Sequence, residues 1–275
     1  MGITMQTENQ TPKDKPEPNI APCYICGAPL EYHLLDRYTS AGEPTQVPVW
    51  HEEGVTSWTD REGIFRAACP DPDCQAHAKV VTAEILKAGR LALLNTPDFQ
   101  ASSLYIPPQY HGAVFEDARP PAAKAIKDWF DAPRPGILLL SGITGTGKTR
   151  QLYAIRRAAY LHNNTSRLLR ITDAILELQA LARESMRDLQ SHIHNLANFP
   201  GYLLFDDLGT EKLTDYALAT FGLLISSREE WQRPTAFSSN LALPAIEATW
   251  GSRIASRLAG GTILTFTGKD HRKRR

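Results

Sequence analysis

The stretch GILLLSGITGTGKT, residues 136–149, decides how this sequence is read. Its first part, 136–140, is an unbroken apolar run of the kind found in a strand buried on both faces. Its second part, Gly142, Ile143, Thr144, Gly145, Thr146, Gly147, Lys148 and Thr149, fits the spacing G-x-x-x-x-G-K-[ST]. Glycines let such a loop curl so that successive backbone N–H groups face phosphate oxygens. A helix expected over 148–161 adds the positive end of its dipole. Lys148 is spaced to reach the β- and γ-phosphates, the Thr149 hydroxyl to ligate Mg²⁺, and Arg150 follows as a further nucleotide contact. A flexible turn is the bland alternative, but the apolar strand before the loop and the helix after it argue for ATP with Mg²⁺.

Working outward, strands and helices alternate. Strands are expected at 167–171, 202–205, 234–238 and 262–266. Helices are expected at 121–130, 172–196 with a break near Glu184–Ser185, 215–231, 243–249 and 251–258. This alternation implies an α/β fold with a parallel five-stranded sheet and helices on both faces. The run YLLFDD ends in Asp206 and Asp207, and strand C-termini line the ligand crevice of such a sheet. Asp206 is then a candidate Mg²⁺ ligand, direct or through water, and Asp207 a group that orients the attacking water. The alternative is a pair of helix N-caps at a strand–helix junction. Ser238-Ser239-Asn240 ends the next strand, where the Asn240 amide is positioned for the γ-phosphate or the water, or simply for a turn.

Upstream, residues 1–20 are polar with three prolines and are expected to be disordered. They lack the apolar core of a signal peptide, and no apolar run is long enough to span a membrane, which points to the cytoplasm and to no membrane partner. In a reducing compartment the four cysteines call for something other than disulfides. Cys23-x2-Cys26 and Cys69-x4-Cys74 make two close pairs, the arrangement of a structural tetrahedral Zn²⁺ site within a module over 21–78. His33, His51 and His77 are spare ligands, and His77 in place of one cysteine stays open. A helical linker over 79–104 leads to the ATPase domain at 105–275, with 96–118 read as irregular. Residues 1–105 carry 8 Lys+Arg against 14 Asp+Glu, and residues 106–275 carry 22 against 16. The zero net charge is therefore either chance or two modules with different partners, the basic one suited to nucleic acid.

The segments IPPQYHGAVFED, GILLLSGITGTGKT, YLLFDDLGTEKLTDYA, PTAFSSNL and WGSRIASRL together resemble the AAA+ helicase loaders of the DnaC/DnaI type, and their relatives the IstB-type transposition helpers. The resemblance covers residues 105–272. It implies a P-loop NTPase of the AAA+/ASCE class, without a C-terminal helical lid because only 267–275 follow the last strand. Lys148 and Thr149 match the Walker A pair, Asp206 and Asp207 match Walker B, and Asn240 matches sensor 1. Arg257 matches the arginine finger that reaches a neighbouring subunit, with Arg253 second in line, and Arg272 matches the sensor 2 position. The second Walker B acid is usually Glu, so Asp207, one methylene shorter, implies slow hydrolysis. The extra length between 172 and 201, with Arg183, Arg187, His192 and His194, matches the loader element that touches single-stranded DNA; a solvated amphipathic helix is the alternative. The basic tail 271–275 suits phosphates or solubility alike. The implied function is an ATPase that loads a replicative hexameric helicase, gripped by the zinc module, onto single-stranded DNA. A transposition helper and a non-hydrolysing, nucleotide-gated DNA-binding adaptor stand as alternatives.

Overall fold

The computed structural model describes residues 19–26, 28–38, 44–50, 53, 55–59, 65–209 and 214–268. Residues 1–18, His51, 210–213 and the tail 269–275 with Arg272 lie outside them, as do the expectations placed there. The chain divides into two compact units, 1–88 and 89–275.

In the first unit, β1 (Asn19–Pro22), β2 (Pro29–Tyr38) and β3 (Pro44–Trp50) form an antiparallel sheet, and β4 (Thr56–Thr59) pairs with β5 (Phe65–Ala68). Helix α1 runs Pro72–Leu94, seven residues earlier than the expected start at 79. Its beginning is set by Asp71, whose Oδ1 accepts the N–H groups of Asp73 (3.0 Å) and Cys74 (3.2 Å), with Pro72 as first helical residue. The pair Asp71-Pro72 is thus a helix start outside the apolar periodicity that begins at 79. Cys74 consequently sits on the first turn of a helix. A short helix α2 (Pro97–Ser102) occupies part of the stretch read as irregular.

The second unit continues with α3 (Pro120–Asp131), β6 (Ile137–Gly142), α4 (Lys148–Leu161), β7 (Ser166–Arg170), α5 (Ile171–Glu184), α6 (Met186–Asn198), β8 (Tyr202–Leu208), α7 (Asp215–Glu230), β9 (Thr235–Ser239), α8 (Leu243–Trp250), α9 (Ser252–Ala259) and β10 (Thr262–Phe266). All five strands are parallel, in the order β10-β6-β9-β8-β7. The α/β fold class expected from the sequence is therefore correct. Alternate side chains of one strand enter two cores: Ile137 and Leu139 of β6 pack with α5 to α9, while Leu138 and Leu140 pack with α3 and α4. Burial on both faces explains the unbroken apolar runs in β6 and β8. The break between α5 and α6 falls at Ser185, whose hydroxyl caps α6 by accepting from Asp188 N–H at 3.2 Å. Because β6 connects to β7 on one side and has β10 on the other, the chain order reverses around it, and the crevice opens at its C-terminal end.

Candidate functional site

At that end of β6 the loop 142–147 leads into α4. Gly142 has φ +141°, and a Cβ there would lie 2.1 Å from the carbonyl oxygen of Phe266 on β10, so only glycine permits the two backbones to approach this closely. Gly145 (φ +81°) and Gly147 (φ +97°) take left-handed conformations that turn the chain into the helix. The buried Lys148 side chain donates from Nζ to the carbonyls of Gly142 (2.6 Å) and Ile143 (2.8 Å), which keeps the ammonium over the loop. Thr149 Oγ1 donates to Asp206 Oδ1 at 2.9 Å, bringing together two residues 57 apart in sequence. A positive helix end, a buried lysine and a hydroxyl–carboxylate pair make a donor set that fits a Mg²⁺-bound polyphosphate.

The two acids do not sit on an ordinary strand end. β8 and β9 are in register at Phe205–Phe237 and again at Leu208–Ser239, so Asp206 and Asp207 together face Ser238 alone. This is a β-bulge, and Asp207 carries its strain as a non-glycine residue at φ +66°. Asp206 is buried and Asp207 exposed. Ser238 Oγ donates to Asp206 Oδ1 (2.5 Å) and accepts from Asp207 N–H (2.9 Å), while Asn240 Nδ2 donates to Asp207 Oδ1 (3.0 Å). The alternative of helix N-caps is excluded, because β8 continues to Leu208 and Thr214 caps α7, accepting from Ala217 N–H at 3.2 Å. The sequence reading missed Ser238; a hydroxyl two places before Asn240 on a buried strand is the signal that could have found it. Ser239 and Ser141 tie the same region together, donating to the carbonyls of Leu208 (2.5 Å) and Leu241 (2.9 Å).

In the first unit the sulfur atoms of Cys23, Cys26, Cys69 and Cys74 all lie within 4.8 Å of one another, with Cys26 and Cys69 3.6 Å apart. A tetrahedron with metal–sulfur bonds of ~2.3 Å has sulfur–sulfur edges of about 3.8 Å, so four thiolates here could bind one metal ion. Among the described residues no histidine joins the cluster, and His77 is exposed. Around these cysteines, Cys23 N–H donates to Ala28 O (2.7 Å), Tyr24 N–H to Ala67 O (2.8 Å), and Gln75 Nε2 to Cys69 O at 2.7 Å. Burial raises the Cys23 thiol, but the backbone N–H groups of Cys26, Cys69 and Ile25 outweigh it and bring it down to about 6. Burial and the neighbouring thiols push Cys74 up. Four packed sulfurs resist full ionisation until a cation neutralises them.

No protein-family model matches the sequence, and no curated protein matches it. Solved structures do. A DnaI structure matches at 21% identity and TM-score 0.51 over 60% of this chain and 94% of that one. The DnaC helicase loader matches at 19% and 0.52 over 58% and all of that chain. The replication initiator DnaA bound to AMPPCP and single-stranded DNA matches at 15% and 0.53, over 60% and 52%. The second unit has the fold of the DnaC/DnaI-type loaders.

The remaining expected residues are distributed over the second unit. Arg257, on the last turn of α9, is ion-paired through Nη1 with Glu229 of α7, and its Nε is buried without a hydrogen-bond partner among the described residues. Arg253, one turn earlier, is exposed. Arg150 donates from Nε to Asp117 Oδ2 (2.7 Å) and from Nη1 to Gln109 O (3.2 Å), pinning α4 to the segment before α3. Arg183, Arg187 and His194 are exposed along α5 and α6, whereas the half-buried His192 lies 3.6 Å from Glu177 Oε1. No helix among the described residues is long and apolar enough to cross a membrane.

Proposed function

We propose that this chain is an ATP-dependent helicase loader, which delivers a replicative hexameric helicase onto single-stranded DNA. The observation that carries the reading is the junction of Thr149 and Asp206 at the mouth of a sheet with the DnaC/DnaI fold. Residues 142–150 would hold ATP, with Lys148 on the phosphates, and Thr149 and Asp206 would hold Mg²⁺. The bound ion would neutralise charge on the phosphates. Asp207 would orient water and Asn240 would hold Asp207. A shorter acid already engaged by Asn240 favours slow hydrolysis, suited to timing a release.

Arg257 would act on a neighbouring subunit's nucleotide after exchanging its Glu229 pair, so that self-association gates turnover; Arg253 is the second candidate. Arg183, Arg187 and His194 would contact DNA phosphates and bases. The four-cysteine cluster would hold structural Zn²⁺ and shape the surface that grips the helicase.

The test is co-purification with the cognate hexameric helicase, together with ATP turnover measured with and without single-stranded DNA. Helicase association and turnover above a Lys148→Ala control are expected. Association with a transposase instead would favour the transposition-helper reading. Nucleotide binding with no turnover would favour a nucleotide-gated adaptor.

A further inference from the structure

The bulge that aims the two acids depends on one side chain that the nucleotide reading does not use. Ser238 is buried, at 2% exposure, and stands alone on β9 opposite both Asp206 and Asp207. A hydroxyl has one proton to donate and two lone pairs to accept with. Here the proton goes to Asp206 Oδ1 and one lone pair takes the Asp207 N–H.

Both bonds bear on the site. Asp206 Oδ1 receives two hydroxyls, from Thr149 on α4 and from Ser238 on β9, which together fix the rotation of the carboxylate. No hydrogen bond among the described residues engages its other oxygen. The Asp207 N–H would otherwise lack a partner in the sheet, because the bulge has taken it out of the ladder. Ser238 therefore stabilises the left-handed turn at Asp207, and that turn presents the Asp207 carboxylate to Asn240. A strand without the bulge would send successive side chains to opposite faces.

We infer that Ser238 is a positioning residue for the nucleotide-bound Mg²⁺, holding Asp206 in the orientation in which it ligates the ion or its water. The inference rests on the proposed ATP·Mg²⁺ site. Side chains that orient metal ligands are typically worth ~10–100-fold in metal affinity or activity.

The experiment uses the full chain and a fluorescent ATP analogue, titrated with Mg²⁺ and separately bound in EDTA. Ser238→Ala is expected to raise the Mg²⁺ concentration at half-maximal binding by about tenfold or more, with affinity in EDTA unchanged. Ser238→Thr, which keeps the hydroxyl, is expected to restore the wild-type midpoint. Ser239→Ala is the comparison for a structural loss on the same strand, since it removes bonds to Leu208 and Leu241; it should lower the melting temperature and leave the Mg²⁺ midpoint in place. A Ser238→Ala protein that melts earlier but keeps the wild-type Mg²⁺ midpoint overturns the proposal while leaving the nucleotide site standing. Wild-type protein that binds the analogue no better than Lys148→Ala overturns both.

Discussion

Arg228 offers the sharpest test of how the second unit is held together. It lies on α7 with 0% exposure, and among the described residues it forms no ion pair. Instead its five N–H directions meet five neutral oxygens. Nε donates to Thr235 Oγ1 (2.8 Å), Nη1 to the carbonyls of Leu196 (2.8 Å) and Phe199 (2.9 Å), and Nη2 to those of Gly201 (3.1 Å) and Pro234 (3.0 Å). Burial, followed by the charge of Arg233, lowers its pKa to about 9, so the side chain remains a cation at neutral pH. Removing it leaves four carbonyls at the α6–β8 and α7–β9 connections without this donor. Two of the four keep a backbone partner, Leu196 O from Phe199 N–H (3.4 Å) and Pro234 O from Leu203 N–H (3.0 Å), so the loss is that of about two buried acceptors, at ~1–3 kcal/mol each or roughly 2–6 kcal/mol in all. For Arg228→Ala this corresponds to a melting temperature lower by about 4–24 °C in a unit of this size. Two further variants separate the causes. Arg228→Met fills most of the volume but donates nothing, so it should be nearly as unstable as alanine. Arg228→Lys keeps the charge and three donors on one nitrogen, which cannot span all five acceptors, and should fall between alanine and wild type. Thermal and urea denaturation provide the readout. Near-wild-type stability in Arg228→Met would refute the hydrogen-bond reasoning and leave volume as the whole effect.

Three other outcomes follow from the geometry. Gly142→Ala must push β10 away from β6, since its Cβ would meet the Phe266 carbonyl at 2.1 Å; a loss above about 2 kcal/mol is expected by denaturation, against ~1–2 kcal/mol for Gly147→Ala, where there is space but φ is positive. Cys26→Ser should lower bound zinc from about one ion per chain, measured by a chromogenic chelator, and weaken helicase association while ATP binding persists; full association would mean the cluster does not shape the grip. Glu229→Gln breaks a partly exposed ion pair and should cost under ~1 kcal/mol, with ATP-dependent self-association kept or increased in sedimentation, whereas Arg257→Ala should abolish that association; equal destabilisation by both, with association unaffected, would make Arg257 a structural pin.

What the sequence disclosed and what it hid differ in the range over which the cause acts. The loop 142–149, the strand before it and the helix after it are contiguous, so the motif, the apolar run and the helix spacing agreed within the single stretch 136–161, and α4 and β10 fall where the pattern puts them. The break at Ser185 was likewise local, a cap three residues before the N–H it accepts. The four cysteines were legible as two pairs, but the helix that carries Cys74 was not, because its start depends on Asp71 and Pro72 rather than on apolar periodicity. The orientation of the two acids was the least legible feature. A run reading YLLFDD gives no sign of a bulge, because the bulge is a mismatch between that strand and another that begins 33 residues after it. Its partner, Ser238, looks in sequence like any small polar residue at a strand end. Only when β9 lies between β6 and β8 does its hydroxyl fall between one acid's carboxylate and the next acid's backbone. The strand that separates the loop 142–147 from the acids is thus also the strand that aims them, which is why, with the proposed nucleotide bound, a single hydroxyl there should be felt in Mg²⁺ binding.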